Sequence, residues 1–181
     1  MKLSISVILL LSSFVIQAQD KFQMGVLSES DKKFSVYEKD TTASAVFLYE
    51  FGDNYFEVRN NYIWLITKYH AKIKILNKKG FTYTNVEIPL YTSNSNKEKL
   101  VTIKAITHNG LVKKGVKREE FFEEEINSRW SQIKFTFPDV QEGSIVEYEY
   151  EMQSPFFYNF SGWNFQADIP KIYSEFNATG R

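Results

Sequence analysis

Trp130-Ser-Gln-Ile-Lys-Phe-Thr-Phe-Pro-Asp-Val-Gln-Glu-Gly-Ser-Ile-Val-Glu-Tyr-Glu-Tyr150 alternates apolar and polar side chains on both sides of a short interruption. Ile133, Phe135 and Phe137 share one face, with Gln132, Lys134 and Thr136 opposite. Val146, Tyr148, Tyr150 and Met152 then alternate with Glu147, Glu149 and Glu151. A period of two means a strand with one face against a core and one face in water. Pro138-Asp139 and Glu142-Gly143 punctuate a tight turn between the two strands. An aromatic-rich segment follows, and residues 169–176 read as a third strand.

The same period recurs upstream. Lys68, His70, Lys72 and Lys74 alternate with Tyr69, Ala71, Ile73 and Ile75, and Tyr62 to Ile66 extends that strand. Asn77-Lys78-Lys79-Gly80 reads as a hairpin turn with glycine at a left-handed position. Ala45 to Phe51 fits a buried strand, turned by Gly52-Asp53-Asn54 and returned by Tyr55 to Val58. Val86, Ile88 and Leu90 form another strand, which Pro89 assigns to an edge or a bulge. Val101, Ile103 and Ala105 lead into Asn109-Gly110, a strong hairpin signal. Arg118 to Ile126 fits a helical turn and a strand equally well. Ser28-Glu29-Ser30-Asp31 has the form of a capping box opening a helix from about Glu29 to Phe34. These readings predict an all-β, antiparallel, sandwich-like domain with one short N-terminal helix.

Composition narrows the function classes. The 181 residues contain no cysteine and only two histidines, but 16 Phe, 11 Tyr and 3 Trp. Without disulfides the domain depends on its hydrophobic core, which the aromatic residues can fill. A formal net charge of zero gives no basic field for nucleic acid. Lys2, the apolar run Ile5 to Ile16 and Gln17-Ala18-Gln19 make a secretory leader, with cleavage expected after Ala18. That run is short for a membrane span, and no later segment is apolar enough for one. The expected organisation is a leader over 1–18, an N-terminal segment over 19–36, and a β-rich domain over 37–181. The expected location is the periplasm, cell envelope or extracellular space.

Several pieces in order resemble one family. They are Tyr37-Glu38-Lys39-Asp40; Ile73-Lys74-Ile75-Leu76-Asn77-Lys78-Lys79-Gly80; Phe135-Thr136-Phe137-Pro138 with Glu142-Gly143-Ser144-Ile145-Val146-Glu147-Tyr148; and Trp163-Asn164-Phe165-Gln166 with Ile169-Pro170 and Tyr173-Ser174-Glu175. This pattern is similar to the domain of unknown function 3857, found in exported proteins of Bacteroidetes-type bacteria. The resemblance implies a domain that usually precedes a transglutaminase-like core bearing a Cys-His-Asp triad. That core is not within these residues. Since the chain stops soon after a strand that needs a partner, a fragment truncated at the C-terminus is expected.

Candidate sites are few. His70 lies among lysines on the face read as wet, and His108 reads as a polar residue flanking the Asn-Gly turn. Glu119, Glu120, Glu123, Glu124 and Glu125 lack the spacing of a calcium loop and read as a solvated charged face. Glu147, Glu149 and Glu151 read as the polar face of a sheet. Asn159-Phe160-Ser161 and Asn177-Ala178-Thr179 match the glycan acceptor pattern by coincidence. No catalytic, cofactor-binding or metal-ligating residue is assigned. Phe156, Phe157, Tyr158, Phe160 and Trp163 are the candidate interaction surface, read as mostly core but set in a loop-rich stretch where binding surfaces occur. Two functions follow. One is a non-catalytic accessory domain that scaffolds, or presents substrate to, a downstream transglutaminase-like, peptidase-related core. The other is an autonomous envelope module that grips glycan or protein through the 156–165 aromatic segment.

Overall fold

The computed structural model describes residues 23–158, 160 and 162–180. The leader read at 1–18, and Asn159 and Ser161 of one acceptor-like triplet, lie outside these residues. The described chain contains helix α1 (Glu29–Lys33) and ten strands. These are β1 (Ala45–Arg59), β2 (Tyr62–Ile75), β3 (Asn85–Ser93), β4 (Asn96–Lys97), β5 (Lys99–Asn109), β6 (Val112–Gly115), β7 (Phe122–Asn127), β8 (Trp130–Thr136), β9 (Ile145–Ser154) and β10 (Ser174–Thr179). They form a six-stranded sheet, ordered β10-β1-β2-β9-β5-β6, and a four-stranded sheet, ordered β4-β3-β8-β7.

The alternation seen in the sequence sets the faces. Ile73, Ile75, Val146, Ala105 and Ala45 from the larger sheet meet Ile88, Phe135 and Phe137 from the smaller one, and Ile169 joins them. Tyr69, Tyr148 and Tyr150 also face inward but are only half-buried. Full burial of each aliphatic or aromatic side chain contributes about 1.5–3 kcal/mol, so this shared layer is what joins the sheets. The Ser28 hydroxyl accepts from the Asp31 N–H while the Asp31 carboxylate accepts from the Ser28 N–H, and this reciprocal cap opens α1 as expected.

Four local readings are corrected and one open alternative is resolved. Gly52 does not turn the chain. β1 runs through it, and the reversal comes at Asn60-Asn61, where both residues have positive φ (54° and 64°). Gly52 is instead where an indole presses on the strand: a Cβ there would lie 2.4 Å from the Trp163 ring. Gly80 likewise closes no hairpin. It sits in a 3-10 helix over Lys78–Thr84, with the Ser44 carbonyl oxygen 2.3 Å from where a Cβ would be. The 137–144 connection does not join paired neighbours, because it carries the chain from β8 in one sheet to β9 in the other. Residues 118–126 hold both alternatives, a 3-10 turn over Arg118–Glu120 and then β7. Finally, the strand expected near 169–176 has its partner within the chain: β10 pairs in parallel with β1, with Glu50 opposite Ser174 and Gly52 opposite Phe176. That parallel pair departs from an otherwise antiparallel architecture. The Gly110 hairpin stands as read, with φ +61° at Gly110 and Asn109 opposite Val112. Pro89 lies where β3 has no partner on its outer side, since β4 reaches only Thr92 and Ser93.

Close backbone approach makes Gly80 the more demanding glycine. Gly80→Ala is expected to destabilise the chain by about 1–3 kcal/mol, because the obstructing atom belongs to backbone. Gly162→Ala, whose Cβ would meet nothing within 4 Å, is expected to change stability by about 0.5 kcal/mol or less. Urea unfolding of the two variants checks this, and equal costs would contradict the packing at Ser44.

Candidate functional site

The outer face of the larger sheet carries the densest group of ionisable side chains. Pairing places Glu147 on β9 between Lys72 on β2 and Ile106 on β5. His70 and His108 lie one diagonal step away on the flanking strands. His70 Nε2 is 2.8 Å from Glu147 Oε1, and His108 Nε2 is 2.8 Å from Oε2. The Gly25 N–H donates to Oε2 at 2.9 Å, and the Lys72 ammonium stands 3.5 Å from Oε1. Lys72 Nζ also donates to the Val26 carbonyl, and Lys113 Nζ to the Gly25 carbonyl, each at 2.6 Å. Residues 23–27 thus form a strap across the face, tied by main-chain groups to charges below. Gly25 takes φ +81°, a conformation that suits glycine.

Relative exposure is 0% for Glu147, 1% for Lys72, 2% for His108 and 8% for His70. The sequence reading of a solvated His70, a turn-flanking His108 and a wet Glu147 is therefore corrected. The period-two pattern was right, but the strap that covers the polar face lies far away in sequence. Burial alone would raise the Glu147 carboxyl. Hydrogen bonds from His108 and His70, with the Lys72 charge, outweigh it and hold the pKa at about 2. Each carboxylate oxygen already faces two donors or cations. Since both imidazoles meet the carboxylate through Nε2, that nitrogen carries the proton in each. His108 Nδ1 is buried without a hydrogen-bond partner among the described residues. The group is a saturated knot rather than a poised acid–base pair. Among the described residues no group of three or more His, Asp or Glu is arranged to hold a metal, and the neighbouring Lys72 ammonium would oppose a cation here.

The remaining acids follow their expected exposure more closely. Glu149 is half-buried and pairs with Lys104 at 3.0 Å, and Glu151 reaches Arg59 at 3.3 Å. Glu119, Glu123, Glu124 and Glu125 are exposed and Glu120 is half-buried. Glu124 pairs with Lys134 at 3.2 Å.

A second polar region lies on the inner face. Glu50 on β1 accepts from Tyr69 Oη at 2.9 Å, Lys171 Nζ at 2.5 Å and Ser174 Oγ at 3.2 Å. Burial pushes the Tyr148 phenol up to about 12; the Tyr69 hydrogen bond pulls it back and the Glu50 charge adds to the rise. Four residues along β1, Asn54 is 1% exposed, and neither its Nδ2 nor its Oδ1 has a hydrogen-bond partner among the described residues. A buried amide left unpaired costs about 1–3 kcal/mol. Sequence reading missed Asn54, having placed it in a turn.

The aromatic segment divides. Phe156 is buried beside Tyr91, their ring centres 5.0 Å apart. Trp163 is half-buried, stacks on Phe176 at 5.2 Å and donates to Ser174 Oγ at 2.9 Å. Phe157, Tyr158, Phe160 and Phe165 are 57%, 71%, 40% and 60% exposed. Of the six, Phe156 is core and Trp163 half-buried, while the other four are exposed, with Phe157 and Tyr158 in ring contact. No helix among the described residues is long and apolar enough to cross a membrane.

Comparison with known proteins agrees with the family resemblance. The family described as "Domain of Unknown Function with solved-structure structure" (DUF3857) matches residues 66–177, more than half of the chain. The chain belongs to the DUF3857 family. No curated protein matches it. Among solved structures, a proposed protease from Parabacteroides distasonis ATCC 8503 is similar at 9% identity and a TM-score of 0.48, over 61% of this chain. The match spans only 23% of that structure's chain.

Removing the central carboxylate tests the knot. Glu147→Gln leaves Lys72 buried without its counter-charge and is expected to cost about 3–5 kcal/mol. Glu149→Gln, on the partly solvated rim, should cost about 1 kcal/mol or less. The Glu147 pKa is depressed on folding, so the unfolded chain binds the proton more tightly. The stability it contributes is present above the ordinary value of 4.5 and is lost as pH falls through about 2. Denaturant unfolding across that window should show a steeper pH slope for the native chain than for Glu147→Gln. Parallel slopes would contradict the assignment.

Proposed function

We propose that this chain is a non-catalytic accessory domain of an exported, transglutaminase-like, peptidase-related protein, and that it scaffolds or presents substrate to a catalytic core outside these residues. The observation that carries the non-catalytic reading is the saturated state of the outer-face knot. His70, His108, Lys72 and Glu147 are residue types that perform acid–base chemistry, yet they are spent on one another and on the strap. A general base needs a free lone pair within reach of a substrate proton; here the Glu147 oxygens are engaged and the bare His108 Nδ1 is buried. The chain also has no cysteine to act as a thiol nucleophile. The link to a transglutaminase-like core rests on the family resemblance, and export rests on the leader pattern of residues 1–18.

The exposed Phe157, Tyr158, Phe160 and Phe165 favour a second reading, an autonomous envelope module that binds glycan or protein through this surface. The codons that follow Arg181 separate the two. An in-frame core with a Cys-His-Asp triad supports the accessory role, and a stop codon supports the autonomous module. On the first reading, thiol-dependent amide hydrolysis or transamidation is expected from the extended protein and none from the 181-residue chain. Activity of the short chain that a thiol reagent abolishes would refute the non-catalytic assignment.

A further inference from the structure

A cleft of about 700 Å³ opens between the inner face of β1, β2 and β9 and the 162–171 segment. Its walls are mixed, with Phe47, Ile88, Pro89, Met152, Trp163 and Phe176 supplying the apolar part. Three of its four charged groups are already engaged, and the fourth, Asp168, is exposed. Glu50 holds Tyr69, Lys171 and Ser174. Glu98 accepts from the Tyr91 N–H and from Ser154 Oγ, both at 2.8 Å. The Lys171 ammonium is divided between Glu50 and the Asn164 carbonyl. Asn54 stands apart among the cleft's polar side chains, because it is buried and its amide donor and acceptor are both without a partner.

We propose that this cleft binds an uncharged peptide segment, with the Asn54 side chain pairing to one peptide unit and the apolar walls taking the flanking side chains. A side-chain amide offers one N–H and one C=O side by side, the complement of a backbone peptide group. A sugar makes a different demand, since its several hydroxyls need several free acceptors. The buried Glu50 and Glu98 carboxylates are occupied, and Ile88, Pro89 and Met152 suit aliphatic or aromatic side chains better than hydroxyls. A charged ligand would find no uncompensated partner in Glu50 or Lys171. The unsatisfied amide disfavours the unliganded fold, and a ligand that pairs with it recovers that loss. Asn54 is shielded from water, so binding displaces lining side chains, and Trp163 in the same cleft reports the change. The presenting role proposed above supplies the biological context, and the inference rests on that reading only for the identity of the partner.

The test uses the full chain after leader removal, titrated to about 10 mM, a range that detects millimolar affinity, with the capped peptide acetyl-Leu-Phe-Ala-amide. N-acetylglucosamine trimer serves as the glycan arm. The readouts are tryptophan fluorescence and the NMR shift of the Asn54 side-chain amide. The expected result is saturable peptide binding that moves the Asn54 amide signal. Asn54→Leu is expected to weaken binding by about tenfold or more while leaving the melting temperature unchanged or higher, a combination that a merely structural asparagine would not give. No saturable peptide binding, an unmoved Asn54 signal, or undiminished binding by Asn54→Leu would overturn the proposal, as would preference for the trimer. The NMR shift in the unsubstituted chain decides the matter should the variant fail to fold. Peptide binding by a chain whose reading frame ends at Arg181 would keep the cleft and remove the presenting role. An in-frame catalytic core with no peptide binding would do the reverse.

Discussion

The Glu147 carboxylate is the constraint on which the outer half of this fold depends. A carboxylate with no exposed surface is costly to bury and stays charged only if its oxygens are fully engaged. Here the four donors come from three separate stretches of chain: His70 and Lys72 on β2, His108 on β5, and Gly25 from the N-terminal strap. One side chain on β9 therefore ties both neighbouring strands to residues more than a hundred positions earlier. The strap brings main-chain groups rather than side chains, so the tie depends on backbone position. Lys72 and Lys113, by holding the Val26 and Gly25 carbonyls, fix that position.

The two faces of the larger sheet consequently do different work. The inner face supplies the apolar layer that joins the sheets and, toward β10, opens into the cleft around Glu50 and Asn54. The outer face, polar along β2, β5 and β9, is closed by charge satisfaction instead of hydrophobic contact. Chemistry-bearing residues accumulate on the closed face, while unspent hydrogen-bonding capacity and exposed aromatic surface accumulate elsewhere.

Much of the fold was legible because its signals are local. The alternation in 68–76 and 144–152 gave the inward faces, the capping box gave α1, and Asn109-Gly110 gave a hairpin. The failures share one physical cause, since each depended on a contact distant in sequence. Gly52 looks like a turn residue until Trp163 is laid against it, and Gly80 until the Ser44 carbonyl is. The β10 partner is β1, more than a hundred residues away, in a parallel pairing with no local signature. His70, His108 and Glu147 looked wet because alternation reveals which residues share a face but not whether that face is covered. The covering strap, Gly25-Val26, acts through backbone groups that leave no mark on side-chain chemistry. Asn54 was hidden for a related reason: its amide matters because nothing pairs with it.

The most direct test is a carbon-13 NMR titration of the Glu147 side-chain carboxyl in the folded chain. The saturated knot requires a midpoint near 2, with no proton taken up at ordinary carboxyl pH. A midpoint at or above the usual 4.5 would contradict it. The carboxylate would then lack the partners assigned to it, the strap would not be held as described, and Glu147 with its two histidines would again be free to act as an acid–base group.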